Sequence, residues 1–216
     1  MGADQRLFHA QKGAFASLIA VPWIPIEPGD TLASYARRMA ATFDPGGPCF
    51  VGGCSFGGMV AQEMTWHLDA RACFLIASVR GPDEFPWRLR VLRPFVRLLP
   101  GWCMEIPRRL TGCILAVAGK RLRPTTRSVF RQFADCSGRH VRWAGLAALG
   151  WRPTAAAPRC PVFQIHGDRD RVLPYRLTRP DVIVPGAGHL LPLTHADAVN
   201  EFLRSRMESF DAARIK

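Results

Sequence analysis

An α/β fold with a mostly parallel sheet flanked by helices is what this chain predicts, and three observations predict it. Short apolar runs of strand character alternate with amphipathic helical patterns over residues 1–80 and again from 158 to the C-terminus; such alternation calls for crossover connections and so for parallel strands with helices on their faces. Between them, residues 81–157 break the rhythm with Pro, Arg and Trp and read as an inserted helical unit. A glycine-rich turn, GGCSFGG at 52–58, joins a buried strand directly to a helix. The 216 residues are 48% hydrophobic and 21% charged, which is apolar enough for a sizeable core. That excludes a disulfide-stapled mini-protein and a disordered chain.

The elements follow in order. Ala16 to Trp23 (ASLIAVPW) is a short apolar run ending in a Pro-rich turn and reads as a strand. Leu32, Tyr35, Ala36, Met39, Ala40 and Phe43 recur at helical spacing behind Asp30 and Thr31, both good N-caps, so the pattern predicts a helix over 31–43. Buried strands are predicted at 49–53 (CFVGG) and 72–78 (ACFLIAS), with a helix after Ser55 between them. Within the insert, Leu89, Leu92, Phe95, Val96 and Leu99, then Leu110, Cys113, Ile114 and Val117, have helical spacing. Strands return at 161–166 (PVFQIH) and 181–185 (DVIVP), and a last helix is predicted over 195–209 behind a Thr194–Asp197 capping box. The division is therefore a core of 1–80 plus 158–216 and an insert of 81–157.

No apolar run reaches the roughly 18 residues of a membrane span, and MGADQRLFHAQKG lacks the apolar segment of a secretion signal. A cytoplasmic protein is the expectation. Seven Cys without a CxxC pair or a Cys/His cluster at zinc spacing indicate neither a disulfide framework nor a structural metal. The net charge of +12 comes from 26 Arg and 3 Lys. Between Arg80 and Arg152 there are 14 Arg and one Lys against Asp83, Glu84, Glu105 and Asp135, so nearly all of the excess lies in the insert. Arg88, Arg90, Arg93 and Arg97 beside Leu89, Leu92, Phe95 and Leu99 form a basic amphipathic stretch. It suits an acidic carrier protein, a coenzyme A phosphate or an anionic membrane surface; the plainer reading is a solvated face of an Arg-rich chain. No base-reading motif accompanies the charge, so nucleic acid is not an expected partner.

Three segments can carry chemistry. Gly53, Cys54, Ser55, Phe56 and Gly57 spell G-x-S-x-G between a strand and a helix. A serine there sits on a strained turn that needs small neighbours, and the helix that follows aims its unpaired N–H groups at it. The Phe56 N–H is then one half of an oxyanion hole. The plainer reading is a tight glycine-rich turn without catalysis. Downstream, PVFQIHGDRDRVLP places Asp168 and Asp170 just past a strand. Serine is a poor nucleophile until a histidine takes its proton, and that histidine needs a carboxylate to fix its tautomer. Asp170 is the candidate, with Asp168 structuring the turn; a solvated acidic turn is the alternative. VPGAGHLLPLTHA then presents His189 as a candidate general base, in the chain order Ser, Asp, His. His166 is expected to contact backbone near the acid turn. GGCSFGG lacks both G-x-G-x-x-G and a terminal G-K-[ST], so no cofactor is expected.

VGGCSFGGMVAQEM, VFQIHGDRDRVLP and VPGAGHLLPLTHADAVNEFL resemble the nucleophile elbow, acid turn and histidine loop of the α/β-hydrolase superfamily. The resemblance implies an α/β-hydrolase fold with Ser55 as nucleophile, Asp170 as acid and His189 as base, and identifies 81–157 with the family's cap or lid. It implies a serine hydrolase for a small-molecule ester or thioester. Acyl transfer or carbon–carbon bond hydrolysis by the same residues, and a catalytically silent binding protein, are the alternatives. The chain departs from the family at its start. Similar members carry an apolar strand ahead of the residues matching MGADQRLF, ending at the second oxyanion donor. The chain thus looks N-terminally truncated, with Met1 and Gly2 as the stub of the oxyanion loop and the Met1 amine near the hole.

Overall fold

The computed structural model describes residues 3–91, 93–98, 103 and 105–212, without the side chains of 108, 211 and 212. In chain order its regular elements are α1 (His9–Ala14), α2 (Leu32–Phe43), β1 (Cys49–Cys54), α3 (Phe56–Met64), β2 (Ala70–Ile76), α4 (Trp87–Val91), α5 (Arg93–Leu98), α6 (Glu105–Ala118), α7 (Pro124–Asp135), α8 (Gly138–Leu149), β3 (Val162–Gly167), β4 (Val182–Val184), α9 (Leu191–Thr194) and α10 (Ala196–Ala212).

The four strands form one parallel sheet in the order β1-β2-β3-β4. Cys54 lies opposite Ile76, Ile76 opposite Ile165, and Ile165 opposite Val182. All carboxyl ends therefore meet at one rim. β2 is a continuous apolar run because both of its faces are covered, and Ala72 to Ile76 are all buried. On one face α2, α3 and α8 pack through Tyr35, Met39, Met59, Val60, Ala144 and Ala148. On the other, α9 and α10 contribute Leu191, Val199, Phe202 and Leu203 against Phe74, Ile76 and Ile165. This is the predicted fold class.

Local chemistry explains the helix boundaries. α2 starts at a reciprocal cap: Thr31 Oγ1 accepts from the Ser34 N–H at 3.1 Å, and Ser34 Oγ accepts from the Thr31 N–H at 3.0 Å. Of the side chains its periodicity selected, Leu32, Tyr35, Ala36, Met39 and Ala40 are buried and Phe43 is partly so. α8 follows Ser137, whose hydroxyl accepts from the His140 N–H. Beyond α8, the Trp151 indole and the Thr154 N–H and hydroxyl all donate to the buried Glu63 carboxylate of α3. The segment after α8 is thereby tied to the helix that follows Ser55.

Two local expectations are corrected and one unassigned stretch is filled. Ala16–Trp23 forms no strand. A strand exists through its ladder partners, and among the described residues none lies beside the free edge of β1. Val21, Trp23, Ile24 and Ile26 bury their apolar surface against the α2/α3/α8 cluster instead. Residues 5–14, unassigned in sequence, form a 3-10 turn capped by Asp4 and then α1, which docks on α9 through the buried Gln11. Thr194 does not cap the last helix; it ends α9 and donates its hydroxyl to the Leu190 carbonyl. None of the helices, among the described residues, is long and apolar enough to cross a membrane.

Candidate active site

β1 ends in the GGCSFGG turn, and Ser55 sits there at φ 55°, ψ −122°. A side-chain-bearing residue in this region is strained and persists only where neighbours over-determine it. They do so here. The Ser55 N–H donates to the Ile76 carbonyl at 2.9 Å, and the Ser55 carbonyl accepts from the Ser78 hydroxyl at 2.7 Å. A Cβ on Gly53 would stand 2.3 Å from the Gly57 carbonyl carbon and oxygen, and one on Gly58 would stand 2.5 Å from Ser78 Oγ. Those two glycines let α3 start immediately after the strand. Ser78 was missed in sequence because nothing about a serine after an apolar run marks it as a brace.

The other two side chains come from the loops after β3 and β4. Asp168 shapes the turn, accepting from the Gly186 N–H at 2.7 Å. Asp170 is buried, and its Oδ1 accepts from the Val172 and Leu173 N–H groups at 2.8 and 2.9 Å. Its Oδ2 lies 2.7 Å from His189 Nδ1 and 3.2 Å from His166 Nε2. Burial works to raise the Asp170 pKa, but the hydrogen bonds from His166 and His189 outweigh it and hold the carboxyl well below the usual range. It is an anion at neutral pH. An anionic Oδ2 fixes the proton of His189 on Nδ1, which leaves the Nε2 lone pair free to accept. His189 Nε2 lies 2.9 Å from Ser55 Oγ.

His166 is fully buried, with Nε2 2.7 Å from the Leu173 carbonyl and no partner for Nδ1 among the described residues. The backbone contact read from the sequence is present. Its approach to Asp170 was not legible, because it depends on the 170–173 turn folding back over β3. Burial pushes the neighbouring Cys54 thiol up to about 12. Phe56 opens α3, so its N–H belongs to the first turn, where intrahelical acceptors are lacking. Met1 lies outside the described residues. Among the described residues no group of three or more His, Cys, Asp or Glu is placed to hold a metal ion.

Chemically, the arrangement offers a hydroxyl whose proton has an acceptor, an imidazole whose gain of charge has a buried counter-ion, and a helix N-terminus beside both. Beside Phe56 lies the Trp23 ring, at 5.8 Å between centroids. Trp23 also walls an open cavity of about 490 Å³ that it shares with Ile24, Gln132, Ser137 and His140.

Solved structures share this architecture at low identity. An esterase from Thermogutta terrifontis is 18% identical with a TM-score of 0.66, over 96% of this chain and 86% of that one. A bromoperoxidase from Bacillus anthracis is 14% identical with a TM-score of 0.58, over 95% and 88%. An epoxide hydrolase from metagenomes of hot environments is 16% identical with a TM-score of 0.57, over 94% and 86%. These likenesses establish the fold and, in their diversity, no single reaction. No curated protein sequence matches. The model of the alpha/beta hydrolase family matches residues 15–202, which span the elbow, the acid turn and the histidine loop. The chain belongs to the α/β hydrolase family.

Proposed function

We propose that the protein is a serine hydrolase that cleaves a small-molecule carboxylic ester or thioester through an acyl-enzyme on Ser55. The observation that carries the reading is the unbroken relay from Ser55 Oγ through the His189 ring to Asp170, with steps of 2.9 and 2.7 Å. Ser55 Oγ attacks the carbonyl carbon as its proton passes to His189 Nε2, and the imidazolium is stabilised by Asp170. The negative charge on the carbonyl oxygen is met by the Phe56 N–H, with a second donor from the N-terminal loop. Collapse expels the alcohol or thiol, which takes the proton back from His189. Water, activated by the same nitrogen, then attacks the acyl carbon and releases the acid. Neither a metal nor a cofactor enters these steps.

The insert at 81–157 acts as a cap in this reading. The cavity beside Trp23 and His140 reaches the site only through the Trp23 ring, which packs on Phe56, and its lining mixes Ile24, Pro25 and Ile26 with Asp4, Asp135 and Arg139. The test is labelling of purified protein by a fluorophosphonate together with hydrolysis of p-nitrophenyl esters of graded chain length. Labelling mapped to Ser55, and turnover lost in Ser55→Ala, are the expected results. A folded protein inert to both would overturn the reading in favour of a silent binding protein.

A further inference from the structure

Among the described residues, eight of the twelve exposed large hydrophobic side chains lie between residues 87 and 117. On α4 and α5 they are Trp87, Val91, Phe95 and Leu98, of which Trp87 and Leu98 are 77% and 81% exposed. On α6 they are Ile106, Leu110, Ile114 and Val117, the last 89% exposed. On α6 the spacing i, i+4, i+8, i+11 makes one continuous stripe, while Trp87 and Val91 share a face of α4 and Phe95 and Leu98 a face of α5. Apolar faces of this kind normally meet a core. Here the core is met by α8, whose Ala144 and Ala148 are buried against α2 and α3, and by Phe85, Leu89 and Trp151. Scattered exposed apolar residues need no explanation, but their concentration in one segment does.

The charge around the stripes says what covers them. Arg88, Arg90, Arg93, Arg97 and Arg109 are all exposed. Two of their guanidinium groups donate to neutral carbonyls: Arg88 to Arg171 at 3.0 Å, and Arg90 to Pro82. None of the five has a carboxylate partner among the described residues. Apolar stripes beside uncompensated guanidinium groups match an anionic bilayer surface, where the side chains enter the acyl boundary and the arginines meet headgroup phosphates. An acidic protein would answer the charge but leaves eight large apolar side chains without a stated partner. The Arg88 contact also places α4 beside Val172, itself 50% exposed, on the turn that carries Asp170.

We propose that the exposed apolar side chains of α4, α5 and α6 dock on membranes rich in anionic phospholipid. The proposal is independent of the catalytic reading, because binding is scored whether or not an ester is cleaved. The test is co-sedimentation of the full chain with vesicles of phosphatidylcholine alone and of phosphatidylcholine with roughly one third phosphatidylglycerol. The expected result is partition to the anionic vesicles at least about tenfold stronger than to the neutral ones, weakened by about 0.5 M salt. Phe95→Ser/Leu98→Ser/Val117→Ser is expected to lose about tenfold in partition, and Arg97→Glu/Arg109→Glu likewise. All five positions are exposed, so fold and any p-nitrophenyl ester turnover without vesicles remain as in the parent. No partition to anionic vesicles, or partition unchanged in the serine variant, would overturn the proposal. So would retention on a polyglutamate matrix without vesicle binding, which would point to an acidic polypeptide instead.

Discussion

The rim of the sheet and the outer helices of the insert are built by opposite rules. At the rim every displacement meets an obstacle: Gly53 and Gly58 have no room for a methyl group, and both backbone polar groups of Ser55 are tied to β2 or the loop after it. On α4–α6, Trp87, Leu98 and Val117 meet mostly solvent. The contrast teaches that this chain concentrates steric determination where atoms must be held within tenths of an ångström, and leaves large apolar side chains of α4–α6 exposed.

The comparison can be broken in order of effect. The largest change belongs to the relay: Ser55→Ala and His189→Ala should each lower ester turnover by at least about 10³-fold with thermal stability retained, measured by steady-state kinetics and calorimetry. Asp170→Asn should cost about 10²- to 10⁴-fold, since it breaks the tautomer control of His189, whereas Asp168→Asn, which touches only a turn N–H, should cost less than about tenfold. The reverse order would move the acid to Asp168. Next is backbone space: Gly53→Ala should destabilise by about 3 kcal/mol in urea titration, because its clash is with the Gly57 backbone rather than with a movable side chain. Ala144→Leu on the buried face of α8 should cost about 1–3 kcal/mol, against less than about 0.5 kcal/mol for Leu98→Ser on α5. Equal costs would erase the distinction between the two parts of the insert.

A smaller effect sharpens the picture through pH. His140 of α8 packs among Trp23, Tyr35 and Trp143, and burial lowers its pKa to about 4. The unfolded chain takes up this proton near the ordinary value of about 6.5, so between there and about 4 it binds more protons than the folded state. Stability should therefore fall as pH drops through that window. Asp170 acts in the same sense further down, since its depressed pKa makes its contribution present above about 3.9 and lost on acidification. His140→Phe should flatten the melting-temperature profile between pH 6.5 and 4 while leaving the more acidic descent in place.

How far the sequence could be read depended on whether the signal was local. β2 and the helix at Leu32–Phe43 were legible because an unbroken apolar run and a 3.6-residue period each answer to a single cause. Ser55, Asp170 and His189 were legible as a set because each sits in a turn after a strand, in a fixed order. Ala16–Trp23 misled because apolar content alone does not specify a ladder partner, and its burial came from helices on one face. Thr194 misled because its hydroxyl had a nearer acceptor in the Leu190 carbonyl. Phe95 and Leu110 could not be told from core residues, since the same periodicity describes a stripe whether or not anything covers it.

The Cys54 thiol has a practical consequence for reagents. A thiol whose proton is held to about pH 12 presents almost no thiolate at neutrality, and the thiolate is the form that reacts. Iodoacetamide, maleimides and dilute peroxide should pass it over although it is covalently joined to Ser55. Inactivation by an electrophile selective for hydroxyls can then be assigned to the serine without first replacing its sulfur-bearing neighbour.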